Sequence, residues 1–228
     1  IDPADMTRAR AAGAPSPWAP PADGRFHICY VGTALPLGHG VLRAFFDGIS
    51  RLRETDPGLA ARLRLRFVGT SNEARPDAAA RVRPLAADAG VADLVDEHPP
   101  RVPFYDALRV LDRAGAILLA GTSEARYTAS KLHAALAAGR PVLALFHERS
   151  DVSRVLAPIA AREPSVRLLT YGDDDALAGL GDGVADVVRD WLAHPPASPE
   201  PAAFPESEGP ALAARLAALL DEVVERRG

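Results

Sequence analysis

Short apolar runs alternate with helix-period segments along this chain, and that alternation limits its fold more than any other feature. Six runs stand out: residues 27–32 (HICYVG), 63–69 (LRLRFVG), 93–97 (DLVDE), 116–120 (AILLA), 141–146 (PVLALF) and 166–170 (VRLLT). Each is too short for an ordinary helix and is bounded by turn-forming or polar residues, as strands are. Between the first two, Val41, Leu42, Phe45, Phe46, Ile49 and Leu52 recur on one face of a helix, and comparable stripes occupy 78–89, 104–111, 132–138 and 152–160. Strand and helix in repeated succession give a parallel sheet covered on both faces and joined by right-handed crossovers. The expected fold is therefore α/β, a Rossmann-like doubly wound parallel sheet of about six strands.

The 228 residues divide by composition into three stretches. Residues 1–24 are rich in Pro and Ala with no sustained apolar period and read as a linker or remnant, with further chain expected before Ile1. Residues 25–194 read as the α/β domain, ending in a helix marked by Leu177, Leu180, Val184, Val187 and Trp191, although Gly179, Gly181 and Gly183 weaken its first turns. Residues 195–228 read as a Pro-rich link and a terminal helix with Leu212, Leu216, Leu219 and Val223 on one face. No apolar stretch approaches the roughly 18 residues that span a bilayer, and no signal-peptide pattern opens the chain, so a cytoplasmic location is expected. A net charge of −4 provides no broad basic footprint, and nucleic acid is not an expected partner. The single cysteine, Cys29, lies in an apolar run and reads as core packing.

In an open parallel sheet, ligands collect outside the carboxyl ends of the strands. Gly32, Gly38, Gly40, Gly69 and Gly121 all fall in the loops that leave those ends. They suit either close approach of backbone amides to a phosphate or simply tight strand-to-helix turns. The loop after the first run does not fit G-x-G-x-x-G, the second run ends in Val68-Gly69-Thr70-Ser71 without an acidic residue for a ribose, and no P-loop occurs. The first strand also lacks the terminal acidic residues of a phosphorylation receiver.

The basic residues are more informative. Of the 26 in the chain, 25 are arginine and only Lys131 is lysine. It falls in Tyr127-Thr128-Ala129-Ser130-Lys131, at the expected start of the helix after the fourth strand. Thr128 or Ser130 is expected to cap that helix, with Lys131 at the surface, so that free amides and a mobile ammonium together seat a diphosphate. A capped helix with a solvated lysine is the other reading. Further polar residues at strand ends are His39, Arg101, Glu124, Arg126, His147, Glu148 and Ser150. Ser150 also suits a helix cap, and His39 a plain helix start.

Residues 130–144 (SKLHAALAAGRPVLA) resemble the K-x-x-E-x-x-A-x-G-x-P-V stretch in the C-terminal domain of family 4 glycosyltransferases, which have the GT-B fold. Tyr30-Val31-Gly32, Arg66-Phe67-Val68-Gly69 and the stretch 110–116 line up with that domain in order. The resemblance implies one half of a two-domain bacterial enzyme whose N-terminal acceptor domain lies outside this chain, leaving this chain inactive alone. It implies retaining transfer of a hexose from a UDP- or GDP-linked sugar, with no metal and no other cofactor. On it, Gly32, Thr33, Thr128, Ser130 and Lys131 surround the donor diphosphate. His39, Arg101, Glu124, Arg126, Tyr127, His147, Glu148 and Ser150 lie in the vicinity of the sugar or nucleotide, and no catalytic residue is assigned. The chain departs from the family at four places: its paired acidic residues correspond to Arg126 and Ala134, and its first-loop arginine and lysine to Thr33 and His39. A non-catalytic GT-B partner or scaffold, or another sugar-nucleotide enzyme such as an epimerase, is the alternative.

Overall fold

The computed structural model describes residues 3–11, 16–125, 127, 129–172, 177–199 and 209–226. Six parallel strands form one sheet: β1 (Phe26–Val31), β2 (Leu63–Val68), β3 (Val95–His98), β4 (Ala116–Ala120), β5 (Val142–His147) and β6 (Val166–Tyr171), in the order β3-β2-β1-β4-β5-β6. Ile28 is in register with Leu65 on one side and Ala116 on the other. The order runs outward from β1 to β3, then reverses at β4, which makes the β1/β4 boundary the switch point where a crevice opens beyond the carboxyl ends. This is the expected doubly wound sheet.

Side chains alternate across the sheet and build a core on each face. Ile28, Tyr30, Leu65 and Phe67 join one layer with α2 (His39–Thr55) and α8 (Leu177–Ala193). Cys29, Ile117, Leu119, Val142 and Ala144 join the other with α5 (Phe104–Asp112), α6 (Leu132–Ala137) and α7 (Asp151–Ala160). All six residues of β5 are buried, as a strand covered on both faces requires. Of the glycines that weaken the start of α8, Gly181 has a packing reason. A Cβ on Gly48 of α2 would lie 2.5 Å from the Gly181 carbonyl of α8, so the two backbones approach too closely for any side chain.

Several boundaries differ from the sequence expectation, each for a local reason. The 78–89 stripe yields only α4 (Arg83–Asp88), with Pro84 in its first turn. The Glu97 carboxylate at the end of β3 accepts the N–H groups of Arg81, Val82 and Arg83, and the hydroxyl of Thr70, fixing where α4 begins. Asp93 belongs to a 3-10 turn, Ala92–Leu94, and β3 starts after it.

The segment expected to be a linker contains a helix, α1 (Pro3–Ala11), laid on α5. Met6 and Ala9 are its buried side chains. Arg10 reaches Asp112 at 2.8 Å and the Ala138 carbonyl at 3.3 Å, while Arg109 donates to the Ala9 carbonyl at 3.0 Å. Two further helices are the short α3 (Pro57–Ala60), between α2 and β2, and α9 (Gly209–Glu225) near the end of the chain. Its Leu212, Leu216, Leu219 and Val223 stay exposed. Among the described residues, no helix is long and apolar enough to cross a membrane.

Candidate functional site

A cleft of about 590 Å³ opens beyond the carboxyl ends of β1 and β2, walled by the first turn of α5 and the residues leading into α6. Val31, Gly32, Val68 and Gly69 form its floor, Arg101, Val102 and Phe104 one side, and Tyr127, Ser130 and Lys131 the other. The structure thus brings together Gly32, Thr33, Arg101, Tyr127, Ser130 and Lys131 from the sequence candidates. Arg126 and Thr128 lie outside the described residues.

Lys131 corrects the picture of a surface lysine on a capped helix. It is half-buried and is itself the N-cap of α6, with no side-chain cap bond from Ser130, which is exposed. The chain already turns at Ser130 and Lys131, so the cap falls one residue later than a serine cap would need. With six residues, α6 is also too short for its dipole to supply an anion seat by itself. The positive charge instead comes from the lysine, folded inward. Its Nζ donates to Tyr30 Oη at 2.6 Å and to the Thr33 carbonyl at 3.2 Å, and lies 4.1 Å from the centroid of the Tyr30 ring. Burial with no carboxylate partner among the described residues lowers the Lys131 ammonium from the usual 10.5 to about 7.

Gly32 makes that course possible. It has φ +114°, and a Cβ there would lie 2.6 Å from Lys131 Cε. The lysine stem crosses the space a side chain would fill.

Other candidates sit elsewhere. His39 opens α2 beyond the cleft wall; burial, then the charges of Arg43 and Arg81, lowers its imidazolium, which disfavours the protonated form that would meet a phosphate. Glu124 is exposed on the loop after β4 and its carbonyl accepts from Tyr127 N–H. His147 and Ser150 are buried structural groups: His147 Nδ1 accepts from Arg149 N–H at 3.1 Å, and Ser150 caps α7 by accepting from Ser153 N–H at 3.0 Å. Glu148 is exposed beside them. These three lie at the end of β5 or just beyond it, two strands from the cleft floor formed by β1 and β2, and do not line it.

Sequence reasoning did not single out Tyr30, Asn72 or Phe104. Tyr30 was one more apolar position in a strand and Phe104 one more member of a helix stripe. The only available signal was a polar-tipped aromatic two residues before Gly32 at the end of a buried strand. Phe104 is 54% exposed at the cleft rim, next to Tyr105 at 5.3 Å between centroids, which an ordinary core-facing stripe does not explain.

No protein-family profile and no curated protein matches the sequence. Solved structures do resemble the fold. The pneumococcal O-GlcNAc transferase GtfA, determined with UDP and GlcNAc, aligns over 93% of this chain and 39% of its own, with TM-score 0.59 and 13% identity. An α,α-trehalose 6-phosphate synthase from Burkholderia multivorans aligns over 90% of this chain and 44% of its own, with TM-score 0.56 and 13% identity. A trehalose-6-phosphate synthase studied for glycosyltransfer with retention aligns over 93% and 46%, with TM-score 0.55 and 13% identity. The chain therefore spans less than half the length of these proteins. At such identity the likeness speaks for architecture alone: this chain carries a six-stranded domain of the kind found in GT-B glycosyltransferases.

Proposed function

We propose that this chain is the nucleotide-sugar-binding half of a retaining glycosyltransferase, and that the cleft above β1 and β2 receives the donor. The observation that carries the reading is the Lys131 ammonium held over Gly32 at the carboxyl end of β1, in a cleft where no carboxylate among the described residues is paired to it. A desolvated cation without a counter-ion gains most from an incoming anion. As the bond between the sugar and the diphosphate breaks, negative charge gathers on the leaving phosphate oxygen. Lys131 would stabilise that charge more strongly than it stabilises the intact donor. UDP is the favoured nucleotide, because GtfA was determined with it. Retention is supported by the trehalose-6-phosphate synthase likeness, and family 4 by the residues around Lys131.

The acceptor would be held by a second domain facing the cleft, and this chain alone would bind nucleotide without transferring sugar. A non-catalytic GT-B subunit is the second reading. It is favoured by Ala134, half-buried on α6, where the family has a ribose-binding acidic residue. Calorimetric titration with UDP, GDP and uridine tests the proposal. Binding of a nucleoside diphosphate well above that of the nucleoside is expected, and no binding of either diphosphate would refute it. Hydrolysis of UDP-sugars by the chain joined to its acceptor domain separates the enzyme from the non-catalytic subunit.

A further inference from the structure

Three features meet at one ammonium. Tyr30 Oη accepts a hydrogen bond from Lys131 Nζ at 2.6 Å, the Tyr30 ring lies under the same nitrogen at 4.1 Å, and the missing side chain of Gly32 leaves the passage the lysine stem uses. The ring is held from below by Phe67, with centroids 5.5 Å apart, so the phenol has little freedom. Its own proton goes to the Thr33 carbonyl at 2.8 Å, which leaves the oxygen lone pairs facing the lysine. A tyrosine present only for packing needs no partner on its acceptor side. Here that side is occupied by the only lysine in the chain.

We propose that Tyr30 is a positioning residue of the donor site: its phenol and the Thr33 carbonyl hold two Lys131 ammonium protons and direct the third to a diphosphate in the cleft. The proposal rests on the donor-binding reading above. An ammonium has three donors and no acceptor, so two fixed bonds settle the direction of the remaining one. Lys131 lines the cleft alongside Gly32 and Ser130, so that direction faces the ligand space. The other titratable or charged side chains lining the cleft are Tyr127, from the approach to α6, and Arg101, from the loop after β3. His133 lies two residues along α6 from the lysine. The Gly32–Thr33 and Val68–Asn72 walls contribute no charged group.

Because the chain has one lysine, its ammonium can be followed by NMR with lysine labelled at Cε, in the wild type and in Tyr30→Phe. The phenylalanine keeps the ring and the core packing and removes only the hydroxyl. The lysine midpoint should fall by about half to one pH unit, as expected when a hydrogen bond that favours the charged form is lost. UDP affinity should fall by roughly fivefold or more while uridine affinity stays the same. An unmoved lysine midpoint in a protein that still binds UDP would overturn the role of Tyr30 and leave the donor reading standing. A shifted midpoint in a protein that binds no nucleoside diphosphate would overturn the donor reading and leave only the pairing of the two side chains.

Discussion

Replacing Lys131 with Met separates what the lysine contributes to binding from what it costs the fold. Methionine keeps an unbranched stem across Gly32 and places a polarisable sulfur near the Tyr30 ring. No buried polar group is stranded, because the Tyr30 hydroxyl still donates to the Thr33 carbonyl at 2.8 Å. Wild-type Lys131 titrates at about 7 in the folded chain and near 10.5 when unfolded. Between those values the unfolded chain binds more protons, so wild-type stability rises with pH across that window by at most about 1.4 kcal/mol per pH unit. Below pH 7 both states are protonated and the full desolvation cost remains. Lys131→Met lacks this dependence and should gain on the wild type as the pH falls from 10 toward 7. UDP binding should weaken by about 10- to 150-fold, the equivalent of a charge-assisted contact of roughly 1.5–3 kcal/mol. Urea denaturation at several pH values, with calorimetric titration of UDP, measures both. Parallel stability curves for the two proteins would mean that Lys131 is fully hydrated, and equal UDP affinity would remove it from the donor site.

Gly32→Ala combines a left-handed backbone with a Cβ 2.6 Å from Lys131 Cε, and should cost about 1–3 kcal/mol in denaturant unfolding and displace the lysine; wild-type stability and UDP affinity would contradict this. Gly48→Ala forces α2 away from α8 and should destabilise by roughly 1–3 kcal/mol or more, read from the melting temperature, whereas an unchanged melt would contradict the close approach. Glu97→Gln weakens the carboxylate that holds the start of α4 and should lower stability by about 1–3 kcal/mol by urea unfolding. Amides of α9 should exchange far faster than those of α8, since a 17-residue helix with its apolar face exposed is marginal alone; protection equal to that of α8 would show that the face is covered in solution.

The sheet was legible because β4 and β5 are buried on both faces and read as near-continuous apolar runs, while β2 reads as leucine alternating with half-buried arginine. β1, β2, β4, β5 and β6 lie within a residue or so of their sequence positions. α1 was not legible. Its attachment depends on Arg10 and Arg109 bonding to main-chain and carboxylate oxygens a hundred or more residues away, and periodicity registers only apolar spacing. The rarity of lysine pointed to Lys131, but not to its direction. That direction is set by Tyr30, 101 residues earlier, and by a gap at Gly32 that exists only once β1 lies beside β4. His147 and Ser150 show the converse: polar residues at a strand end look available in one dimension, yet serve to hold their own loop.

The contact between Gly48 and Gly181 has a consequence for how this sequence can drift. A side chain at position 48 would meet the Gly181 carbonyl oxygen at 2.5 Å and Val184 Cβ at 2.8 Å, while one at position 181 would meet the Ala44 carbonyl oxygen at 3.3 Å. The obstacle to each substitution is the other helix's backbone, so trimming a neighbouring side chain does not make room. Single-step replacement is closed at Gly48, and compensation requires α2 and α8 to separate together. Homologous chains that retain this helix pairing should keep glycine at the position of Gly48 while Gly179, with nothing within 4 Å of its Cβ position, varies freely.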